Sequence, residues 1–254
     1  MKSRKIIFAN WKMNLDSRGI SNLVQDILSE MKNFDNLDVI LSPPFPYLKL
    51  VSDLIRGSKL SLSSQNVFYE DVGSYTGEVS TNMLKDVGCD WVMMGHSERR
   101  QHLLETNEMI NKKILASTHN GLNAILCVGE SFDERRHNKT FVRISDQLKR
   151  GLRDVKYDAL PCIVIGYEPI WVIGSGEPAR LKDIQEVHNF ISNELDSMFP
   201  DSTNLPRIVY GGSVNNLNIN SIISLKNVDG VLVGNASMDC EVFCDIVLKV
   251  GDST

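Results

Sequence analysis

The sequence has no apolar run approaching the ~20 residues of a membrane span, and its opening, MKSRKIIFANWKMN, lacks an apolar stretch of signal-peptide length. A cytoplasmic protein is expected. Cysteine is sparse: Cys89, Cys127, Cys162, Cys240 and Cys244 are an odd number with no CxxC, which indicates neither a disulfide framework nor a zinc site. Cys240 and Cys244, four residues apart, share a helix face and read as packing. Positive charge is not in excess either. With 27 basic against 32 acidic side chains the net charge is -5, which argues against a nucleic-acid footprint or a membrane-binding basic surface. An anionic ligand must therefore be met by a local arrangement. There is also no low-complexity tract, interdomain linker or close repeat in the 254 residues, and one domain of that length buries about three quarters of its unfolded surface.

What is present is a regular alternation. Short apolar runs recur at Ile6 to Ala9, Val39 to Leu41, Leu60 to Leu62, Trp91 to Met94, Ala124 to Val128, Cys162 to Ile165, Ile208 to Tyr210 and Val231 to Val233. They suggest one strand per unit, and Cys162 to Ile165 has the length and β-branching of a strand buried on both faces. Amphipathic stretches lie between them with helix punctuation, such as Thr106 before NEMINKKILASTHN and Gly121, or Asp239 before CEVFCDIVLKV and Gly251. Eight βα units in this length fit an α/β fold of the (β/α)8 barrel type, one domain over 1–254, better than an open doubly wound sheet.

Within that frame, Cys162 to Ala179 (CIVIGYEPIWVIGSGEPA) holds the most chemistry. Its strand is read as stopping at Gly166, and Glu168 follows at the carboxyl end, where such folds carry their active sites. The IWVIGSG that comes next is too apolar for an ordinary solvated loop, yet it carries two glycines, which suits a flap. Glu168 also reads as a paired structural carboxylate. A dinucleotide fingerprint at Gly174 to Ala179 fails on context: its first glycine trails the strand and Pro178 falls inside it.

Other strand ends supply partners. Lys12 follows the first strand, either as a cation in the barrel mouth or as a solvated lysine. The fourth run ends at Gly95-His96-Ser97-Glu98, where Ser97 reads as the cap of a helix. The positive end of that helix then holds His96 neutral, so that it can donate to a carbonyl oxygen. His102, His119, His137 and His188 fall in predicted helices or at their ends and are expected at the surface. Cys127 lies inside an apolar strand and reads as a buried, inert thiol. Gly211-Gly212-Ser213 and Gly234-Asn235, after the last two strands, offer backbone N–H groups to a phosphate; tight turns needing positive φ are the structural alternative. The long irregular stretch Gln65 to Glu78 carries Phe68, Tyr69 and Tyr75. It either packs on a second subunit or folds back on its own barrel.

The motifs NWKMN (Asn10 to Asn14), QNV (Gln65 to Val67), YTGEVS (Tyr75 to Ser80), GHSERR (Gly95 to Arg100), CVGE (Cys127 to Glu130), YEPIWVIGSG (Tyr167 to Gly176) and YGGSV (Tyr210 to Val214) occur together and in order. In these the chain closely resembles the triosephosphate isomerase family from Phe8 to about Val250, a family that serves as a standard illustration of a glutamate base working beside a neutral histidine under a closing loop. The resemblance implies interconversion of dihydroxyacetone phosphate and glyceraldehyde 3-phosphate without metal or organic cofactor. It implies that Glu168 is the base, that His96 polarises the carbonyl, and that Lys12 and Asn10 stabilise developing negative charge. Backbone N–H groups of Gly174, Ser213, Gly234 and Asn235 would hold the phosphate. Glu98 would position Lys12, Tyr210 and Ser213 would hold the closed flap near Ala179 and Gly176, and Thr76 would enter the partner of a homodimer. The flap would stop the enediolate from expelling phosphate.

The sequence departs from the family pattern at Asn235, where a second glycine is usual, at Val172, where alanine is usual, and at Pro178-Ala179, where lysine and threonine are common. Two alternatives stay open beside this implication. One is another phosphosugar barrel enzyme forming a Schiff base on Lys12, which nearby Glu98 disfavours by holding the amine charged; the other is a non-catalytic barrel.

Overall fold

The computed structural model describes residues 4–31, 36–172 and 178–253. Within them strands and helices alternate as β1 (Lys5–Asn10), α1 (Ser17–Glu30), β2 (Leu37–Ser42), α2 (Leu48–Leu54), β3 (Leu60–Ser64), α3 (Thr81–Asp86) and β4 (Trp91–Met94). They continue as α4 (Ser97–His102), α5 (Asn107–His119), β5 (Asn123–Val128), α6 (Phe132–Arg136), α7 (Thr140–Gly151) and β6 (Ile163–Tyr167). The last are α8 (Leu181–Met198), β7 (Arg207–Tyr210), α9 (Ile219–Ile223), β8 (Gly230–Val233) and α10 (Cys240–Asp252). The strands pair in parallel in chain order, and β8 returns to β1 to close the barrel. Each apolar run lies in its own strand, with ends differing by a residue or two. Gly166 does not stop β6, because its backbone stays paired opposite Cys127 of β5.

Side chains alternate between two buried sets, as the two-residue period of a strand requires. Ile6, Phe8, Ile40, Trp91, Met93, Ile125, Cys127, Val164, Val209 and Leu232 fill the barrel interior. Their neighbours, such as Ile7, Leu41, Leu126 and Ile165, belong to the outer core with Ile20 and Val24 of α1 and Ile144 and Leu148 of α7. Continuing the inward parity past the strand ends assigns Asn10, Glu168, Gly211 and Gly234 to the same carboxyl-terminal rim. Sequence period therefore converges on the mouth residues that chemistry had singled out.

The caps follow expectation at two helices. Thr106 accepts from the Met109 N–H at 3.2 Å, and Asp239 accepts from the Val242 N–H at 3.1 Å. Gly251 does not end α10, which runs on to Asp252. His188 is a correction: it is fully buried, with Nδ1 2.8 Å from the Asn227 carbonyl and its ring edge-on to Tyr167. A helical position alone does not distinguish the face turned to the barrel.

In the long loop after β3, Phe68 stacks on Tyr69 at 4.3 Å and meets the tilted ring of Tyr75 at 4.6 Å, and its N–H reaches the Val79 carbonyl. The loop thus folds on its own aromatics, leaving the tip at Thr76 exposed. No described helix is long and apolar enough to cross a membrane.

Candidate active site

The carboxyl-terminal rim encloses a cavity of about 500 Å³ lined by Asn10, Lys12, His96, Glu98, Glu168, Ser213, Gly234 and Asn235 among others. A larger groove of about 790 Å³ lies outside the barrel, between Tyr69 to Asp71, α5 and the 154–162 segment. Of the two, the smaller cavity brings a buried carboxylate against an imidazole, which makes it the candidate active site.

Glu168 is 2% exposed. One carboxylate oxygen, Oε1, is 2.9 Å from His96 Nε2, and the other accepts from the Ser97 N–H at 2.9 Å. Burial pushes its pKa up, but the imidazole, the Ser97 amide and Lys12 outweigh this and hold the carboxyl below its ordinary value. His96, not Ser97, is the N-cap of α4. Its Nδ1 accepts from the Glu98 N–H at 3.3 Å, so Nε2 carries the proton that faces Glu168. Burial pulls the imidazole pKa down, yet the Glu168 carboxylate raises it above the ordinary value. An uncharged acceptor in place of that carboxylate would remove the lift. Burial and the helix N-terminus, both of which favour the neutral ring, would then prevail.

Lys12 adopts φ +51°, uncommon for a residue with a side chain. Three contacts hold it there: its N–H donates to Asn10 Oδ1 at 3.0 Å, its carbonyl accepts from Gln65 Nε2 at 2.8 Å, and its ammonium lies 2.6 Å from Glu98 Oε1. Asn10 is anchored in turn on Met93 Sδ, 3.5 Å from Nδ2.

The glycine loops line the same cavity as Lys12, and a Cβ on Gly234 would lie 3.7 Å from Lys12 Cε. None of Gly211, Gly212 and Gly234 has positive φ, so the tight-turn explanation fails for them. A Cβ on Gly212 would come within 2.1 Å of the Tyr210 hydroxyl, and one on Gly211 within 3.1 Å of Glu168 Cγ. Close approach is the reason for these two. Gly234 has ψ -115° and caps the 3-10 turn Asn235–Met238, whose leading N–H groups have no preceding turn to bond. Its carbonyl accepts from the Ser237 N–H at 2.8 Å and from the Ser237 hydroxyl at 2.7 Å, which fixes the turn. Gly174 and Gly176 lie outside the described residues.

The family model for triosephosphate isomerase matches residues 5–250. The chain belongs to the triosephosphate isomerase family. It is 42% identical over 245 residues to the triosephosphate isomerase of Thermoanaerobacter sp. (strain X514), covering 96% of this chain and 98% of that one. It is 41% identical over 245 residues to that of Dictyoglomus thermophilum and 40% over 244 residues to that of Aquifex aeolicus, with the same coverage.

Two departures from the triosephosphate isomerase pattern are accommodated locally. Asn235 is the first residue of its 3-10 turn and has no positive φ, so the second glycine is not needed for conformation. Val172 is buried, and its N–H donates to the Pro169 carbonyl at 2.9 Å. Pro178 is exposed, whereas Ala179 is buried. Burial pushes the Tyr210 phenol up, and the Ala179 backbone offsets part of that push. Cys127 is fully buried, and burial together with the Glu168 charge pushes its thiol well up, so it remains a neutral packing group.

Other supporting residues gave little sequence signal. Glu130 is fully buried and accepts from Trp171 Nε1 at 2.9 Å, Arg135 at 3.1 Å and the Tyr167 hydroxyl at 3.2 Å, tying Trp171 and the end of β6 to the residues that follow β5. Arg100 donates to the carbonyls of Gly95 at 2.7 Å and Cys127 at 3.0 Å. Gln147 clamps Gly129 from both sides, accepting its N–H at 2.8 Å and donating to its carbonyl at 3.1 Å. Glu130 and Arg100 stand in motifs without any visible role, and Gln147 looks like any polar helix residue.

Proposed function

We propose that this protein interconverts dihydroxyacetone phosphate and D-glyceraldehyde 3-phosphate by proton transfer through an enediolate, as its family membership indicates. The observation that carries the mechanism is the 2.9 Å apposition of Glu168 Oε1 and His96 Nε2 beside the Lys12 ammonium. In this reading the substrate carbonyl replaces Glu168 as the acceptor of the His96 Nε2–H. The freed carboxylate then removes a proton from the adjacent carbon and returns it to the neighbouring one. His96 moves protons between the two enediolate oxygens, while Lys12 and Asn10 stabilise the charge that develops there. The phosphate lies against the backbone N–H groups of Ser213, Gly234 and Asn235. No cofactor is required, since the reaction needs no electron sink.

The chain is read as one barrel domain acting as a homodimer in the cytoplasm. Support comes from the exposed loop tip at Thr76 and from five cysteines that are all free thiols. Sedimentation of the purified protein tests the dimer. A Schiff base on Lys12 is disfavoured by its 2.6 Å ion pair with Glu98, which the amine would have to give up before it could attack a carbonyl.

Proton NMR with dihydroxyacetone phosphate in deuterated water tests the reaction. Product carrying solvent deuterium at the reacting carbon is expected, and Glu168→Gln should lower kcat by about 10²–10⁴-fold. Folded wild-type protein that leaves the substrate unchanged would sink the reading.

A further inference from the structure

Cys240 and Cys244 are the first and fifth residues of α10, on the side of the barrel wall that packs against α1. Their sulfurs are 3.7 Å apart, Cys240 half-buried and Cys244 buried. Neither contributes to the rim chemistry. We propose that this pair is a chelating dithiol site for trivalent arsenicals, which bridge two sulfurs through one arsenic atom.

The geometry favours a one-atom bridge over a direct bond. A disulfide needs sulfurs about 2.0 Å apart on Cβ atoms about 3.5–4.5 Å apart. Residues four apart on a helix hold their Cβ atoms about 5–6 Å from each other. Direct closure would therefore distort the first turn of α10, which Asp239 caps. An inserted arsenic atom spans the existing gap and leaves the turn wound.

Charge favours the same ligand class. Burial pushes both thiols up, Cys244 to about 12, and the carboxylates of Asp26, Glu30 and Asp239 act in the same direction on Cys240. The sulfurs are thus neutral thiols in an acidic setting. With phenylarsine oxide, two S–H groups and one As=O give two As–S bonds and one water. Arsenic stays trivalent, both thiol protons leave on the oxide oxygen, and no charge changes. A soft monovalent metal ion would instead displace two protons for one positive charge and leave net negative charge beside three carboxylates, a costlier exchange.

The test is intact-mass analysis of the full-length folded protein treated with one equivalent of phenylarsine oxide, then challenged with excess glutathione. One phenylarsenic adduct should survive glutathione, leave on treatment with 2,3-dimercaptopropanol, and map to the peptide containing residues 240–244. Cys240→Ser and Cys244→Ser should each retain isomerase activity while losing adduct retention by about 10²-fold, the gain expected of a second, tethered attachment. Retention equal to wild type in either active variant would overturn the proposal. So would an adduct on wild-type protein that glutathione removes, or one mapping to Cys89, Cys127 or Cys162.

Discussion

Gly129→Ala is the substitution most informative about how the barrel sets the position of Glu168. A Cβ at residue 129 would lie 1.8 Å from the Glu168 carbonyl oxygen, where ordinary contact begins near 3.4 Å, so the chains must part there by roughly 1.6 Å. The obstacle is backbone, which no rotamer change relieves. Two hydrogen bonds flank the contact, from the Glu168 N–H to the Val128 carbonyl at 2.8 Å and from the Ile170 N–H to the Glu130 carbonyl at 3.2 Å. Separation of the strands strains both. Overpacking of this kind costs about 1–3 kcal/mol, and each kcal/mol lowers Tm by about 2–4 °C in a chain of this size. The catalytic consequence should be larger, because a misplacement of about 1 Å at a reacting group costs on the order of 10² in rate. Gly230→Ala provides the control. Its Cβ would meet the Ile6 carbonyl oxygen at the same 1.8 Å, but at the amino-terminal end of β8, away from the rim. Thermal melts and steady-state kinetics on both variants should show similar losses of Tm. Only Gly129→Ala should lose kcat by about 10²-fold, with Gly230→Ala staying within about threefold. A folded Gly129→Ala enzyme with near-normal kcat, or equal loss in the two variants, would refute the argument.

Lys12→Met should separate activity from stability. Removing the cation should lower kcat/KM by about 10²–10³-fold, whereas the partner left behind, Glu98, is 44% exposed and should change stability by less than about 1 kcal/mol. His188 should make stability depend on pH in the acid range. Burial lowers its pKa to about 4, so between pH 6.5 and 4 the unfolded chain binds a proton that the folded chain refuses, and stability falls as pH falls through that window. The contribution is about 3 kcal/mol; urea midpoints from pH 7 to pH 4 should show it in wild type and not in His188→Gln.

The strands and the residues that project from their carboxyl ends were legible because both depend on local period; closure of the sheet did not follow from it. Alternating burial along β1, β6, β7 and β8 is written in the apolar runs, and extending it past each strand end by a residue or two reaches Asn10, Glu168, Gly211 and Gly234. Caps such as Thr106 and Asp239 are legible for the same reason, since donor and acceptor lie within one turn. The cap of α4 was misread by one residue because an imidazole took the place of the neighbouring hydroxyl.

By itself, the sequence determined the alternation, the chemistry available at each strand end and the glycine-rich loops beside it. Tertiary structure alone decided which of these groups touch. Glu168 reaches the Ser97 N–H across 71 residues of chain, and Gln65 holds the Lys12 carbonyl across 53. His188 is inside because its helix face turns to Tyr167, and Gly129 leaves no room for a Cβ only because β5 and β6 pair in the register that sets Val128 opposite Tyr167. Closing the barrel fixes those distances, since a side-chain period specifies a direction from the strand but never the separation between strands distant in sequence.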